Sequence, residues 1–174
     1  MRRMSASPLL RIAVLLGLGA LGGCNAGQEP ATTATGSEPS MYRSLASNDA
    51  RVDPLTARDM ISLYRRNSGL GALTLDEGLQ RVAEAQARDM ARSGDLAARG
   101  ALGDRLVGAG IQTSAAVENV SAGYRTLAEA FSGWRDSAPH NARMLDRRVR
   151  RMGIATAYAP GAKYKVYWAL VLAD

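Results

Sequence analysis

The chain has 174 residues, with 22 Lys plus Arg against 16 Asp plus Glu (net charge +6), one Cys and one His. One Cys cannot close an internal disulfide, and one Cys with one His excludes a Cys/His zinc cluster and any mechanism that needs two imidazoles. At 47% hydrophobic and 22% charged residues the composition is that of a globular protein, not a disordered one.

Residues 1–24 read as an export signal. Arg2, Arg3 and Arg11 supply the positive start, and Ile12 to Gly23 is an uncharged run. That run is too short to span a bilayer, which takes roughly 20 apolar residues. It ends in Leu21-Gly22-Gly23-Cys24, which resembles a bacterial lipobox: a Leu, two small residues and the Cys to be acylated. The resemblance implies a mature chain anchored to a membrane through lipids on Cys24. It implies an envelope location, with Asn25 after the Cys favouring the outer membrane in a Gram-negative cell. Loss of three basic residues with the signal leaves 19 basic against 16 acidic, a net charge of +3. That weakens the case for nucleic acid, which is not an expected partner.

Residues 25–52 are rich in Ala, Thr, Ser, Gly and Pro without apolar periodicity, which predicts a flexible tether. Residues 53–174 form one patterned domain, long enough to bury a real core. Met60, Ile61, Leu63 and Tyr64 sit at helical spacing, ended by Asn67-Ser68-Gly69. Thr74 to Glu77 reads as a capping box with Thr74 as N-cap. The helix it opens carries Leu79, Val82, Ala83, Gln86, Ala87 and Met90 on one face, and Gly94 closes it. A short helix is expected over 104–108. A second capping box, Thr126 to Glu129, opens a helix with Phe131 and Trp134 on its apolar stripe. Ser137 is placed as the cap of a short helix through His140, Met144 and Leu145. Met152 to Tyr158 and Tyr164 to Leu172 alternate around Pro160-Gly161, a β-hairpin with Tyr164 and Trp168 facing the core. Helices first and strands last imply an α+β fold with a mostly antiparallel sheet.

The stretch 118–145 carries the chemistry: Glu118-Asn119-Val120-Ser121-Ala122-Gly123, then Glu129 five residues before Trp134, then Ser137, Pro139-His140 and Met144-Leu145. In order and spacing it resembles the CAP superfamily (cysteine-rich secretory proteins, antigen 5, pathogenesis-related proteins) in its bacterial SCP-like form. Ile61-x-x-Tyr64-Arg65, Leu79-x-x-x-Ala83 to Met90 and Gly153-Ile154-Ala155 fit the family's other segments. The resemblance implies a three-layer α-β-α sandwich, and a cavity lined by two His and two Glu. Glu118, Glu129 and His140 carry over to three of those positions. The place of the first His falls on Ala98, or on Arg99 if the loop shifts.

With one imidazole and two carboxylates, a weak divalent-cation site or a bare acid/base cluster remains. No nucleophile accompanies it, since Cys24 is acylated and no G-x-S-x-G elbow occurs. The expected function is therefore a non-catalytic binding module for a lipid or other envelope ligand. The alternative is a divalent-metal or acid/base hydrolase using Glu118, Glu129 and His140. Each of the three also has a structural reading, Glu129 as partner of the Thr126 cap, Glu118 in a turn, and His140 as a packing residue. Arg147, Arg148, Arg150 and Arg151 are either a contact for lipid headgroups or an anionic envelope polymer, or a solvated loop.

Overall fold

The computed structural model describes residues 37–96 and 100–174. The expected signal, the lipidated Cys24 and the Ala98 position lie outside the described residues. Among the described residues, five α-helices and four strands follow in the order α1 (Pro54–Asn67), β1 (Thr74–Leu75), α2 (Glu77–Ser93), α3 (Leu102–Gly108), β2 (Ala116–Ala122), α4 (Leu127–Asp136), α5 (Ala138–Met144), β3 (Arg151–Tyr158) and β4 (Val166–Ala173). The sheet order is β1-β3-β4-β2.

β3 and β4 pair antiparallel from Arg151↔Ala173 to Tyr158↔Val166, and β2 joins β4 antiparallel from Ala116↔Ala173 to Ala122↔Tyr167. β1 adds a short parallel ladder to β3, so the sheet is mixed. Every residue of β4 is buried. Its even positions (Val166, Trp168, Leu170, Leu172) pack with α1, α4 and α5, and its odd positions (Tyr167, Ala169, Val171, Ala173) pack with α2 and α3. A strand covered on both faces must be apolar at both parities, because successive side chains point to opposite sides. The molecule is thus an α+β sandwich of three layers.

α2 buries Leu79, Val82, Ala83, Gln86, Ala87 and Met90, the face read from spacing, and Gly94 ends it in the left-handed region at φ 72°. Its start differs from expectation. Thr74 and Asp76 donate their N–H groups to the Arg150 and Met152 carbonyls (2.9 Å each), which draws Thr74 into a strand. Asp76 becomes the cap instead, accepting from the Leu79 N–H at 2.9 Å. At Gly153 a Cβ would lie 2.2 Å from the Leu79 carbonyl carbon, so only glycine lets α2 sit this close on β3.

The expected tether ends earlier than residue 52. Ser40–Tyr42 form a 3-10 turn, Leu45 is 3% exposed, and its N–H donates to the Arg125 carbonyl at 2.8 Å. The apolar residues Met41, Leu45 and Val52 give this stretch something to bury, which its small polar neighbours mask in composition. Tyr164 is likewise corrected: it lies before β4 and is 40% exposed, while Trp168 is fully buried. Ser137 stands at the N-cap position of α5, but its side chain makes no capping bond.

The core next to the site is fixed by polar contacts. Trp134 and Trp168 meet edge to face at 6.0 Å; their indole N–H groups donate to Ser121 Oγ (3.1 Å) and to the Tyr124 carbonyl (2.9 Å). Arg65, 1% exposed, donates to the carbonyls of Gly71, Met144, Asp146 and Val149 at 2.7–3.0 Å.

Candidate functional site

Strand β2 decides the geometry of the site. Asn119 and Ser121 face the α4/α5 layer, where Asn119 Nδ2 donates to the His140 carbonyl at 3.0 Å and Ser121 accepts from Trp134. Glu118, one residue earlier, must therefore face the opposite layer. There its Oε2 accepts from Arg105 Nη2 of α3 at 2.6 Å, with both side chains largely buried.

The three carboxylate and imidazole positions of the expected cavity are thus distributed over two faces of the sheet. Glu129 is exposed at the start of α4; its Oε2 accepts the Arg125 N–H at 2.6 Å while its own N–H donates to Thr126 Oγ1 at 3.2 Å. This is a capping box in which the carboxylate reaches one residue farther back than the cap itself. His140 lies in the first turns of α5, half-buried. Burial, and then the Arg143 guanidinium, push its imidazole below the ordinary value of 6.5, so the ring is neutral at pH 7. Among the described residues no three His, Cys, Asp or Glu side chains come together to hold a metal ion. The convergent Glu118, Glu129 and His140 cluster, and the divalent-cation site expected on it, do not form among these side chains. Alternation along β2 separates the first carboxylate from the other two groups.

The arginine run is divided as well. Arg148 pairs with Asp146 at 2.6 Å, and Arg151 bridges Asp76 at 2.8 Å and the Asp174 carbonyl at 2.6 Å. Arg147, Arg148 and Arg150 are all exposed, and of these three only Arg148 is held in an ion pair among the described residues.

Two open spaces flank α3. One, about 610 Å³, lies between α3 and the start of β2 and is walled by Leu102, Leu106, Val107, Ile111 and Ala116, with Thr113 and Ser114 at its polar end. Val107 is 77% exposed on its rim. The other, about 330 Å³, lies between α2 and α3 and is lined in part by Val82, Gln86, Asp89 and Arg105. Sequence reasoning missed Arg105, because nothing in its neighbours distinguishes it from a surface arginine. Gln86 was visible as the one amide in an otherwise apolar helix stripe.

The profile of the cysteine-rich secretory protein family (CAP) matches residues 58–172. No curated protein sequence matches the chain significantly. Among solved structures it is similar to an extracellular protein with an SCP domain from Bacillus anthracis str. Ames (22% identity, TM-score 0.61, covering 70% of this chain and 40% of that one). It is similar also to a cysteine-rich secretory protein of Staphylococcus aureus subsp. aureus Mu50 (18%, 0.59, 69% and 37%). A third similar structure is an outer surface protein of Borrelia burgdorferi (15%, 0.59, 72% and 98%). The chain spans about two fifths of the length of the first two, and at these identities the likeness is one of fold. With the profile covering most of the domain and the sandwich in place, the chain belongs to the cysteine-rich secretory protein (CAP) family.

Proposed function

We propose that this CAP domain is a non-catalytic binding module of the cell envelope, held at a membrane through acylated Cys24, that takes an acyl-chain amphiphile in the groove between α3 and β2. The observation that carries the reading is the Arg105–Glu118 ion pair at 2.6 Å. The pair holds Glu118 on the face of β2 opposite to His140 and Glu129, so the three groups do not meet to act on one substrate. The open groove between α3 and β2 offers an apolar wall and a polar end, the pattern that accepts a chain and a headgroup. The extracellular and outer-surface character of two structural neighbours supports an envelope location. Among the described residues no helix is long and apolar enough to cross a membrane, which accords with an anchor outside them. Arg147 and Arg150 are suited to anionic headgroups or polymers near that anchor.

The test is native mass spectrometry of the full chain with Cys24→Ala, loaded with phospholipids and fatty acids. The expected result is a retained amphiphile that Val107→Asp displaces. Absence of bound lipid under every loading condition would overturn the reading.

A further inference from the structure

Strand β3 has β1 on its outer side, but β1 covers only Arg151 and Met152. Ala159 donates its N–H to the Lys165 carbonyl just before β4, so the odd positions of β3 bond inward and the even positions turn their backbone groups to the outer edge. The first outward positions are covered. The Met152 carbonyl accepts from the Asp76 N–H, and at Ile154 the Gln80 carboxamide takes the place of a strand. It accepts from the Ile154 N–H at 3.1 Å and donates to the Ile154 carbonyl at 2.9 Å. At Thr156 and Tyr158 this cover stops: among the described residues their outward N–H and C=O groups have no partner. Folds normally blunt such an edge, because unpaired strand backbone invites another strand. Here the edge is the floor of a cleft of about 500 Å³, with Val52 and Pro54 on one wall and Glu84 and Arg88 of α2 on the other. Thr156 and Tyr158 are partly exposed and line it.

We infer that this cleft is a docking site for an extended acidic segment of a partner protein, which joins the sheet as a strand beside Thr156 and Tyr158. Pairing with the outward groups of those two residues supplies about four main-chain hydrogen bonds whatever the segment's sequence. Charge sets the choice of segment. Arg51 at the rim is exposed and has no carboxylate partner among the described residues; its Nη1 donates to the Asn48 and Ala50 carbonyls at 2.6 and 2.7 Å, which holds the guanidinium in place. On the other wall Arg88 has only Glu84, at 3.7 Å. The lining thus carries two guanidiniums against one carboxylate, and an acidic side chain on the segment complements the excess. A second copy of this chain fits less well. Its own β3 edge lies between the same two walls, which would collide before the edges reached the roughly 4.8 Å spacing of paired strands. β2 forms the other edge of the sheet, so this cleft is separate from the groove between α3 and β2 and does not depend on lipid binding there.

The test pans a phage-displayed library of random heptapeptides on the full chain with Cys24→Ala, and measures the enriched sequences as synthetic peptides by calorimetry and amide hydrogen exchange. Enriched peptides are expected to carry Asp or Glu, to bind with a Kd below about 100 μM, and to slow exchange at the Thr156 and Tyr158 N–H groups. N-methylation of the peptide backbone should abolish binding, since it removes the donors that pair with the edge. Arg51→Glu is expected to weaken acidic peptides by about tenfold or more. Asn48→Trp, in an exposed turn at the rim, should block every peptide, and it decides the matter if Arg51→Glu fails to fold. No enriched sequence, enrichment without acidic residues, unchanged exchange at Thr156 and Tyr158 under saturating peptide, or unchanged affinity in the folded variants would each overturn the proposal. So would self-association in sedimentation velocity that slows exchange at the same two amides, which would assign the edge to a second copy.

Discussion

The Arg65 guanidinium on α1 donates to the Val149 carbonyl at 3.0 Å across 84 positions of chain, and closes three further backbone carbonyls at the same time. Burial pushes its pKa below the usual arginine value; Asp146 partly offsets this, and the Arg150 charge lowers it further. An arginine remains charged under such pressure, and its five donors in a fixed fork suit a ring of carbonyls. Arg65 thereby ties the end of α5 and the arginine run to α1.

Arg65→Met is expected to lower stability by about 3–5 kcal/mol, since it strands several buried carbonyls. Arg65→Lys should recover only part, as an ammonium cannot reach all four. Urea unfolding checks both; a loss under about 1 kcal/mol for the Met variant would refute the staple.

Gly153→Ala is expected to cost about 3 kcal/mol or more, because the new Cβ meets backbone of α2 that cannot move without lifting the helix. Gly103→Ala provides the contrast: nothing lies within 4 Å of its Cβ and it sits inside α3, so it should stabilise by about 0.5–1 kcal/mol. Paired thermal melts read both signs.

Acid should unfold the protein in two stages. His140 has its pKa lowered by burial, so its contribution to stability is present above pH 6.5 and declines as the pH falls through that value. Asp53 (bonded by Thr56), Asp76 (by the Leu79 N–H) and Asp146 (by Arg148) are all held below the ordinary 3.8, and Asp174 is lowered to about 2 by Ser114 and Thr113. Their contributions are present above pH 3.8 and are lost as the pH falls toward 2. His140→Gln should flatten the first stage of a Tm–pH profile and leave the second.

Within the arginine run, position should separate stability from surface charge. Arg151→Gln removes the contacts to Asp76 and Asp174 and is expected to cost about 1 kcal/mol. Arg147→Gln with Arg150→Gln should change stability by under about 0.5 kcal/mol while weakening sedimentation with phosphatidylglycerol vesicles. Equal vesicle binding by this double variant would assign both arginines to a solvated loop.

The buried faces of α2 and α4, the Gly94 stop and the terminal hairpin were legible because each depends on neighbours within a few residues. Local signals failed where a distant strand intervened. Thr74 lost its capping role to Asp76 because β3 captured it, and residues 40–52 resembled a tether because their few apolar side chains bury against elements far along the chain. The motif around Glu118 identified the family, but its residues were read as a turn, and the strand β2 that they form between distant elements was not anticipated.

What no local pattern contained was which helices cover which face of the sheet. Only the tertiary structure decided that, and with it the fate of the one histidine and of the carboxylates grouped with it by spacing. Composition had excluded a two-histidine site from the outset. Packing then placed Glu118 against Arg105 on one side of β2, and Glu129 and His140 in the layer on the other. Side chains adjacent in a strand point apart, so a site can only be assembled by what the opposite layers bring to each face.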